Sequence, residues 1–317
     1  WSYVAFVRDA CGNLSPVSNR TPGTLNYHLG DVANGVTNCA GNNLVDLSDI
    51  SFLGAHYGAT LVDSDPLACL DVGPTTDFSV NARPTTDNRL DFEDLVLFAI
   101  NYSVGPAAPS SGKVVASGSD EVTLEAPAVV RAGDTVLATV RLSGSGAVHA
   151  LSIKLGWNTD VLEPLGVESG GFLEAQHGVV LSPGADGVDA AILGAHASGV
   201  TGEGPLAVFK FRVRADGNPA LVVRSVEGRD ADNKTIAVGM AGGPRTVLPT
   251  RTLLEAARPN PFVGMTELRF AIAHGGSVNL VVYDVTGRKV RTLVHGERVP
   301  GEYERVAEND ASIEGDA

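Results

Sequence analysis

Hydrophobic and polar positions change period several times along this chain. Near its start Tyr3, Ala5 and Val7 alternate with Ser2, Val4 and Phe6, and a turn follows at Asp9-Ala10-Cys11-Gly12-Asn13. Period-two alternation predicts strands, so the opening residues read as a hairpin that breaks at Thr21-Pro22-Gly23. The period then lengthens. Ile50, Leu53, Gly54 and Tyr57, and again Leu95, Phe98, Ala99 and Tyr102, recur at i, i+3, i+4 and i+7. That spacing predicts two short helices with one buried face each, their aromatic residues belonging to the core. From Glu121 to Pro249 short β-branched and apolar runs return: Val122–Glu125, Thr135–Leu142, Ala150–Leu155, Val179–Leu181, Ala190–Leu193, Leu206–Val213 and Ala220–Val226. Gly-Asp, Ser-Gly, Asp-Gly and Gly-Asn turns separate them, which predicts a sandwich or jelly roll. Farther on, Val278, Leu280 and Val282 alternate with Asn279, Val281 and Tyr283 ahead of a hairpin turn at Thr286-Gly287.

The two predicted helices share their approach. Residues 42–57 (NNLVDLSDISFLGAHY) align without a gap on residues 87–102 (DNRLDFEDLVLFAINY), 45 positions later. Asp46 falls on Asp91 and Asp49 on Asp94. Oxygen-bearing side chains followed by a helix are the order of a calcium loop, which needs oxygens at positions 1, 3 and 5, a carbonyl at 7, an oxygen or water at 9 and an acid at 12. With position 12 at Asp49, position 5 is Asn42, 7 is Leu44 through its carbonyl and 9 is Asp46. In the second copy the same positions are Asp94, Asp87, Arg89 (carbonyl only) and Asp91. Strict counting puts position 1 on Asn38 and Arg83, and arginine cannot ligate a cation. An insertion between positions 3 and 5 puts it on Asp31 and Asp71 instead, with Asp77 as a spare ligand. Position 3 is then Ala33 or Gly73, without a side-chain oxygen, and position 6 is Asn43 or Asn88, a residue that tolerates a left-handed turn. Such clusters are also ordinary helix caps; two copies in register favour calcium.

Gly30-Asp31-Val32 with residues 42–50, and Asp71-Val72-Gly73 with residues 87–95, resemble the dockerin family. That resemblance implies an EF-hand-like module with two calcium sites that docks onto cohesin domains, choosing partners through loop positions 10 and 11, here Leu47-Ser48 and Phe92-Glu93. Because the copies differ there, one docking orientation is expected to dominate. A second stretch resembles a cohesin: Ala132-Gly133-Asp134-Thr135-Val136, then residues 155–163 around Trp157-Asn158, then 202–211 with Gly202-Glu203-Gly204-Pro205-Leu206. The alternative is a carbohydrate-binding-like or Ig-like sandwich, since unrelated domains share that architecture. Pro259-Asn260-Pro261-Phe262 and Tyr283-Asp284-Val285-Thr286-Gly287-Arg288 resemble an Ig-like module of the hook-capping type, some members of which act as sorting signals. That module's closing strands are expected near Val306–Asp310, where the chain reads as truncated or divergent. Tyr3 to Asp9 with Gly12-Asn13 resembles the last hairpin of a fibronectin type III domain.

The fold class expected is therefore multidomain and mainly β, with Ig-like or jelly-roll sandwiches and one small α-helical, EF-hand-like calcium-binding module. The expected divisions are a truncated hairpin at 1–29, the calcium module at 30–104, a linker at 105–119 rich in Gly, Ser, Pro and Ala, a cohesin-like sandwich at 120–249 and the C-terminal module at 250–317.

Composition narrows the function. The net charge is −14, and between Asp31 and Tyr102 eleven acids stand against Arg83 and Arg89, a local −9. Bound cations would offset part of that repulsion. No basic stripe exists to neutralise phosphates, so nucleic acid is excluded as a partner, and no apolar run reaches the 18 or more residues of a membrane-spanning helix. Trp1 opens the chain in mid-strand, so it reads as a fragment of a longer protein. Of Cys11, Cys39 and Cys69, the last two sit at the entries of the two loops. A disulfide between them suits an oxidising compartment; the alternative is three unrelated thiols. There is no Gly-x-Ser-x-Gly elbow, no His-Glu-x-x-His helix and no phosphate loop, and the seven histidines lie at no metal-ligand spacing. Asp160 and Glu163 read as strand-end residues rather than as paired catalytic carboxylates.

No catalytic site is expected. The leading expectation is a secreted or cell-surface bacterial scaffold segment holding calcium at two sites. Its partners would be cohesin- or dockerin-bearing proteins, copies of itself forming head-to-tail filaments, and polysaccharide through assemblies that degrade it. The alternatives are the non-catalytic tail of a large secreted hydrolase (a glycoside hydrolase or protease) and a calcium-stiffened spacer that docks with nothing.

Overall fold

The computed structural model of the chain describes residues 4–19, 28–62, 64–80, 82–102, 119–194, 198–241, 249 and 251–308. The expected linker, apart from Ser119, lies outside the described residues, as do Thr21-Pro22-Gly23 and Asn309-Asp310. The chain divides into two compact units, residues 1–111 with 193–196 and residues 112–192 with 197–317. It is mainly β, as the alternating patterns require.

In the first unit, residues 4–19 turn back on themselves through a single bridge between Arg8 and Leu14. Asp9 Oδ1 accepts from the Cys11 and Asn13 amides and closes the turn. The Ser15 and Ser18 hydroxyls accept from Val7 N and Ala5 N where a regular ladder would place carbonyls. Val4, Phe6, Val7, Leu14 and Val17 are exposed, so the alternation that predicts a strand finds no apolar surface to lie against among the described residues.

Helix α1 spans Leu47–His56 and α2 spans Phe92–Asn101. Each starts with a capping box, Asp46 with Asp49 and Asp91 with Asp94, in which both side chains answer helix-start amides that have no partner within the helix. Of the expected faces, Ile50 and Leu53 on α1 and Leu95, Phe98 and Ala99 on α2 are buried, while Gly54, Tyr57 and Tyr102 are half-buried. Val96 and Leu97 are buried too, so α2 is covered on more than the one face its spacing predicts. The duplication is also a pairing. Val45 bridges Tyr102 and Thr60 bridges Arg89, so each loop runs beside the far end of the other copy. A disulfide joins Cys39 in the first insertion to Cys69 ahead of the second loop, with 5.6 Å between their Cα atoms. Cys11 is a free, exposed thiol.

The second unit holds the strands. They are β1 (Glu121–Glu125), β2 (Thr135–Ser145), β3 (Ala150–Gly156), β4 (Leu162–Ser169), β5 (Gly178–Gly184), β6 (Gly187–Ile192), β7 (Thr201–Val213) and β8 (Val222–Arg229). After them come β9 (Thr235–Ile236), β10 (Gly239–Met240), β11 (Leu253–Leu254), β12 (Met265–Ile272), β13 (Gly276–Tyr283), β14 (Lys289–Arg298) and β15 (Gly301–Glu308). One sheet runs β5-β6-β3-β8-β9; a second runs β10-β1-β2-β15-β12-β11, with β7 on the other edge of β2 and β4 outside β7; β13 and β14 form a third, two-stranded sheet. Alternate residues of the two larger sheets meet in one core, with Val140, Leu142, Phe209 and Phe211 from one sheet and Leu151, Ile153 and Val188 from the other. All seven expected strand regions are present. β4 is additional: Pro164 and Gly166 obscure its pattern, and they sit where its register on β7 shifts.

Of the C-terminal strands, β11, β12 and β15 join the larger sheet of this sandwich. β1 pairs with β2 over Thr139–Ser143, and β15 takes up the same edge at Val136 and Thr135. Phe270, Ile272, Val294 and Tyr303 belong to the same apolar core, so the boundary expected at 249/250 falls inside one unit. Two charge clusters accompany the joint. Lys210 Nζ on β7 lies 2.6 Å from Glu168, 3.3 Å from Glu304 and 3.4 Å from Glu267, and Arg269 reaches Glu168 at 2.8 Å and Glu304 at 3.0 Å. Burial opposes the Lys210 charge, but the Glu168 hydrogen bond and the three carboxylates hold its pKa above the usual lysine value. At the start of β2 the buried Asp134 meets Arg298 at 3.0 Å and Arg305 at 2.6 Å. Removing one member of such a buried cluster leaves the others charged and unpaired, so Asp134→Ala is expected to cost the second unit about 3–5 kcal/mol. Urea unfolding followed through Trp157, whose ring packs on Phe211, measures it.

Candidate metal centre

The loops reach their helices through buried aspartates. Asp49 Oδ1 accepts from Val32 N and Ala33 N, each at 2.7 Å, and Oδ2 from Asp46 N at 2.8 Å. Asp94 repeats this with Val72 N at 2.7 Å, Gly73 N at 2.8 Å and Asp91 N at 3.0 Å. Both side chains are essentially inaccessible to solvent. The strand entering each loop thus lies against the start of its helix. The approach is close enough that a Cβ at Gly73 would meet the Glu93 carbonyl carbon at 2.6 Å, which explains the missing side-chain ligand at position 3 of that loop.

Asp31 and Asp71 stand at the first position of their loops. Asp31 Oδ1 accepts from Asn42 N at 2.7 Å and Oδ2 from Asn43 N at 2.8 Å, across the whole insertion. Asp71 Oδ2 accepts from Asn88 N at 2.7 Å. Asn38 and Arg83 lie within the insertions, where Asn38 bridges Ala33 and the Arg83 carbonyl accepts from Thr76. Asn43 and Asn88 have φ of 66° and 64°, the left-handed turn expected at position 6. Asp77 caps a local turn through Ser79 N and is not part of the cluster.

The remaining oxygens differ between copies. Asn42 Oδ1 accepts from Leu44 N, Asp46 Oδ1 from Ser48 N and Asp46 Oδ2 from the Asn42 amide. In the second loop Asp87 accepts from Arg89 N and Asp91 from Glu93 N, each through Oδ1. Asp71 Oδ1 is buried without a hydrogen-bond partner. Among the described residues no three His, Cys, Asp or Glu side chains already form a metal cage. Even so, a buried carboxylate oxygen without a donor, beside Asp87 and Asp91, is a donor set of the kind a hard oxygen-seeking cation takes. The second loop therefore fits calcium: Asp71, Asp87 and Asp91 would hold it with the Arg89 carbonyl, and Asp94 would fix the loop to the helix. In the first loop the corresponding residues are Asp31, Asn42, Leu44, Asp46 and Asp49.

The residues implied in partner choice are presented unequally. Leu47 is 66 % exposed at the start of α1, with Ser48 half-buried beside it, whereas Phe92 is 6 % exposed at the start of α2 and Glu93 is half-buried. Both pairs are the first two residues of their helices. The sequence shows only that they differ; packing decides which one faces solvent.

No protein-family model matches the chain, and comparison with curated proteins gives no match. Solved structures similar to parts of it include a non-cellulosomal cohesin from the hyperthermophilic archaeon Archaeoglobus fulgidus, 22% identical, covering 38% of this chain and 86% of that one, with a TM-score of 0.30. Others are the sixth cohesin of Acetivibrio cellulolyticus scaffoldin B in complex with a dockerin (10% identity, 39% and 95% coverage, TM-score 0.32) and a type I cohesin–dockerin complex from Clostridium thermocellum (17%, 41% and 94%, 0.31).

Burial pushes the Asp94 carboxyl up to about 8, against the pull of the Asp91, Gly73 and Val72 amides. Asp71 is also raised, by burial first and then by the charges of Asp87 and Asp91, against the Asn88 amide. The folded module therefore keeps protons that the unfolded chain, with its aspartates near 3.8, gives up. In metal-free buffer its stability is greatest at acid pH and falls as pH rises from about 4 towards 8. Urea midpoints of the helical circular-dichroism signal, taken across that range, are expected to fall accordingly; a rise would contradict the assignment.

Proposed function

We propose that this chain is a non-catalytic, calcium-binding assembly segment of a secreted or cell-surface bacterial protein. The observation that supports this reading is the duplicated loop–helix unit, in whose second copy Asp71, under the charges of Asp87 and Asp91, keeps one buried oxygen that the protein leaves unanswered. Calcium supplies the positive charge those carboxylates lack. The chain's own residues do the rest: Asp49 and Asp94 clamp each loop to its helix, and the left-handed Asn43 and Asn88 turn the loops.

The loop–helix unit then presents α1 to a cohesin-type β-sandwich, with the exposed Leu47 as its apolar contact and Ser48 beside it. The chain's own sandwich is the receiving surface for such a unit on another copy, which makes head-to-tail association the natural assembly. Polysaccharide degradation or a surface layer is the setting in which a secreted scaffold of this kind works. The Cys39–Cys69 disulfide suits that oxidising setting.

Light scattering of the full chain over a concentration series tests the assembly. The mass is expected to grow with concentration in calcium and to stay monomeric in chelator. A constant monomer in calcium would exclude copies of itself as the partner. Leu47→Ser is expected to weaken the association about tenfold or more, as loss of an exposed apolar anchor does, with the helical signal unchanged.

A further inference from the structure

We propose that the two loops are unequal: the second is the calcium site, and the first is closed by its own backbone amides and fills, if at all, at much higher calcium. This rests on the calcium reading above.

Every side-chain oxygen at the expected ligand positions of the first loop already takes a hydrogen bond from the chain. Asp31 uses both of its oxygens, Asn42 its single one, Asp46 both and Asp49 both. In the second loop Asp71 Oδ1 is buried without a hydrogen-bond partner. Asp87 accepts from Arg89 N through Oδ1, and the Asp91 side chain from the Glu93 and Asp94 amides. Asp71 is 5 % exposed, so water cannot readily answer its oxygen, and leaving a buried acceptor unmade is costly. A cation at Asp71 removes that cost and at the same time offsets the charges of Asp87 and Asp91, which act on the same carboxyl.

The difference has a cause in the chain. A Cβ at Gly41 would lie 2.5 Å from the Asp31 carboxylate, so the missing side chain lets residues 41–43 wrap both Asp31 oxygens. The position 45 residues later is Thr86, which is exposed. There Asp71 takes the Asn88 amide on Oδ2, with the Asp87 amide also pulling its pKa down, and Oδ1 stays without a partner. Charge count points the same way. Besides the clamping aspartates, the second loop brings Asp71, Asp87 and Asp91 to the expected positions, whereas the first brings Asp31, Asp46 and the neutral Asn42, and calcium affinity follows the number of charged ligands.

Calorimetry of the full chain with calcium chloride, paired with hydrogen exchange, tests this. One tight event per chain is expected, with any second event weaker by about tenfold or more. Calcium should slow exchange across residues 71–94 and leave residues 31–49, already hydrogen-bonded in chelator, nearly unchanged. Asp71→Asn should weaken the tight event at least about tenfold, with circular dichroism in chelator confirming that the helices remain. Two events of equal affinity, or equal protection of both loops, would overturn the inequality and leave calcium binding intact. No heat and no protection in the natural chain would overturn the calcium reading itself, so the two failures are distinct.

Discussion

The helical module depends on a buried carboxylate at the start of each helix. Removing an aspartate from water is expensive unless hydrogen bonds answer it. Asp49 and Asp94 are answered three times over, by two amides of the strand entering the loop and one of the residue capping the helix. The helix N-terminus adds a favourable field. These bonds fix the entry strand against the helix, and only then do Asp31 and Asp71 come within reach of loop residues eleven to seventeen positions later. The insertions can be long because both of their ends are held.

The same logic separates the two copies. The same clamps hold both loops, yet Asp31 has both oxygens answered by loop amides whereas Asp71 keeps Oδ1 without a partner. On the calcium proposal above, the duplicated motif keeps one half as scaffold and the other as binding site without changing its fold. The exposed Leu47 and the buried Phe92 repeat that division at the helix starts.

The sandwich shows how a sheet edge is closed. β1 covers only part of β2, and the uncovered end would offer unpaired backbone groups to other chains. β15 takes that position, secured by Asp134 against Arg298 and Arg305 and by the cluster around Lys210. These largely buried charge pairs hold β15 at that edge, while Phe270 and Tyr303 extend the core.

The strands, the helices and their buried faces were legible because they follow from local periodicity: β-branched runs between turns, and apolar residues at helical spacing. The mainly-β class follows from those same patterns. Even there alternation alone misled at residues 4–19, where serine hydroxyls replace ladder carbonyls, and β4 was hidden by Pro164 and Gly166. In the loops, residue type and spacing determined by themselves which oxygens are available and that position 6 tolerates a left-handed turn. Tertiary structure decided which amide meets which oxygen, that Asp71 keeps one oxygen unanswered, and that β11, β12 and β15 enter the sandwich sheet. Periodicity acts within one element, whereas these outcomes depend on groups many residues apart. Whether such groups meet is set by close packing, down to the presence of one Cβ.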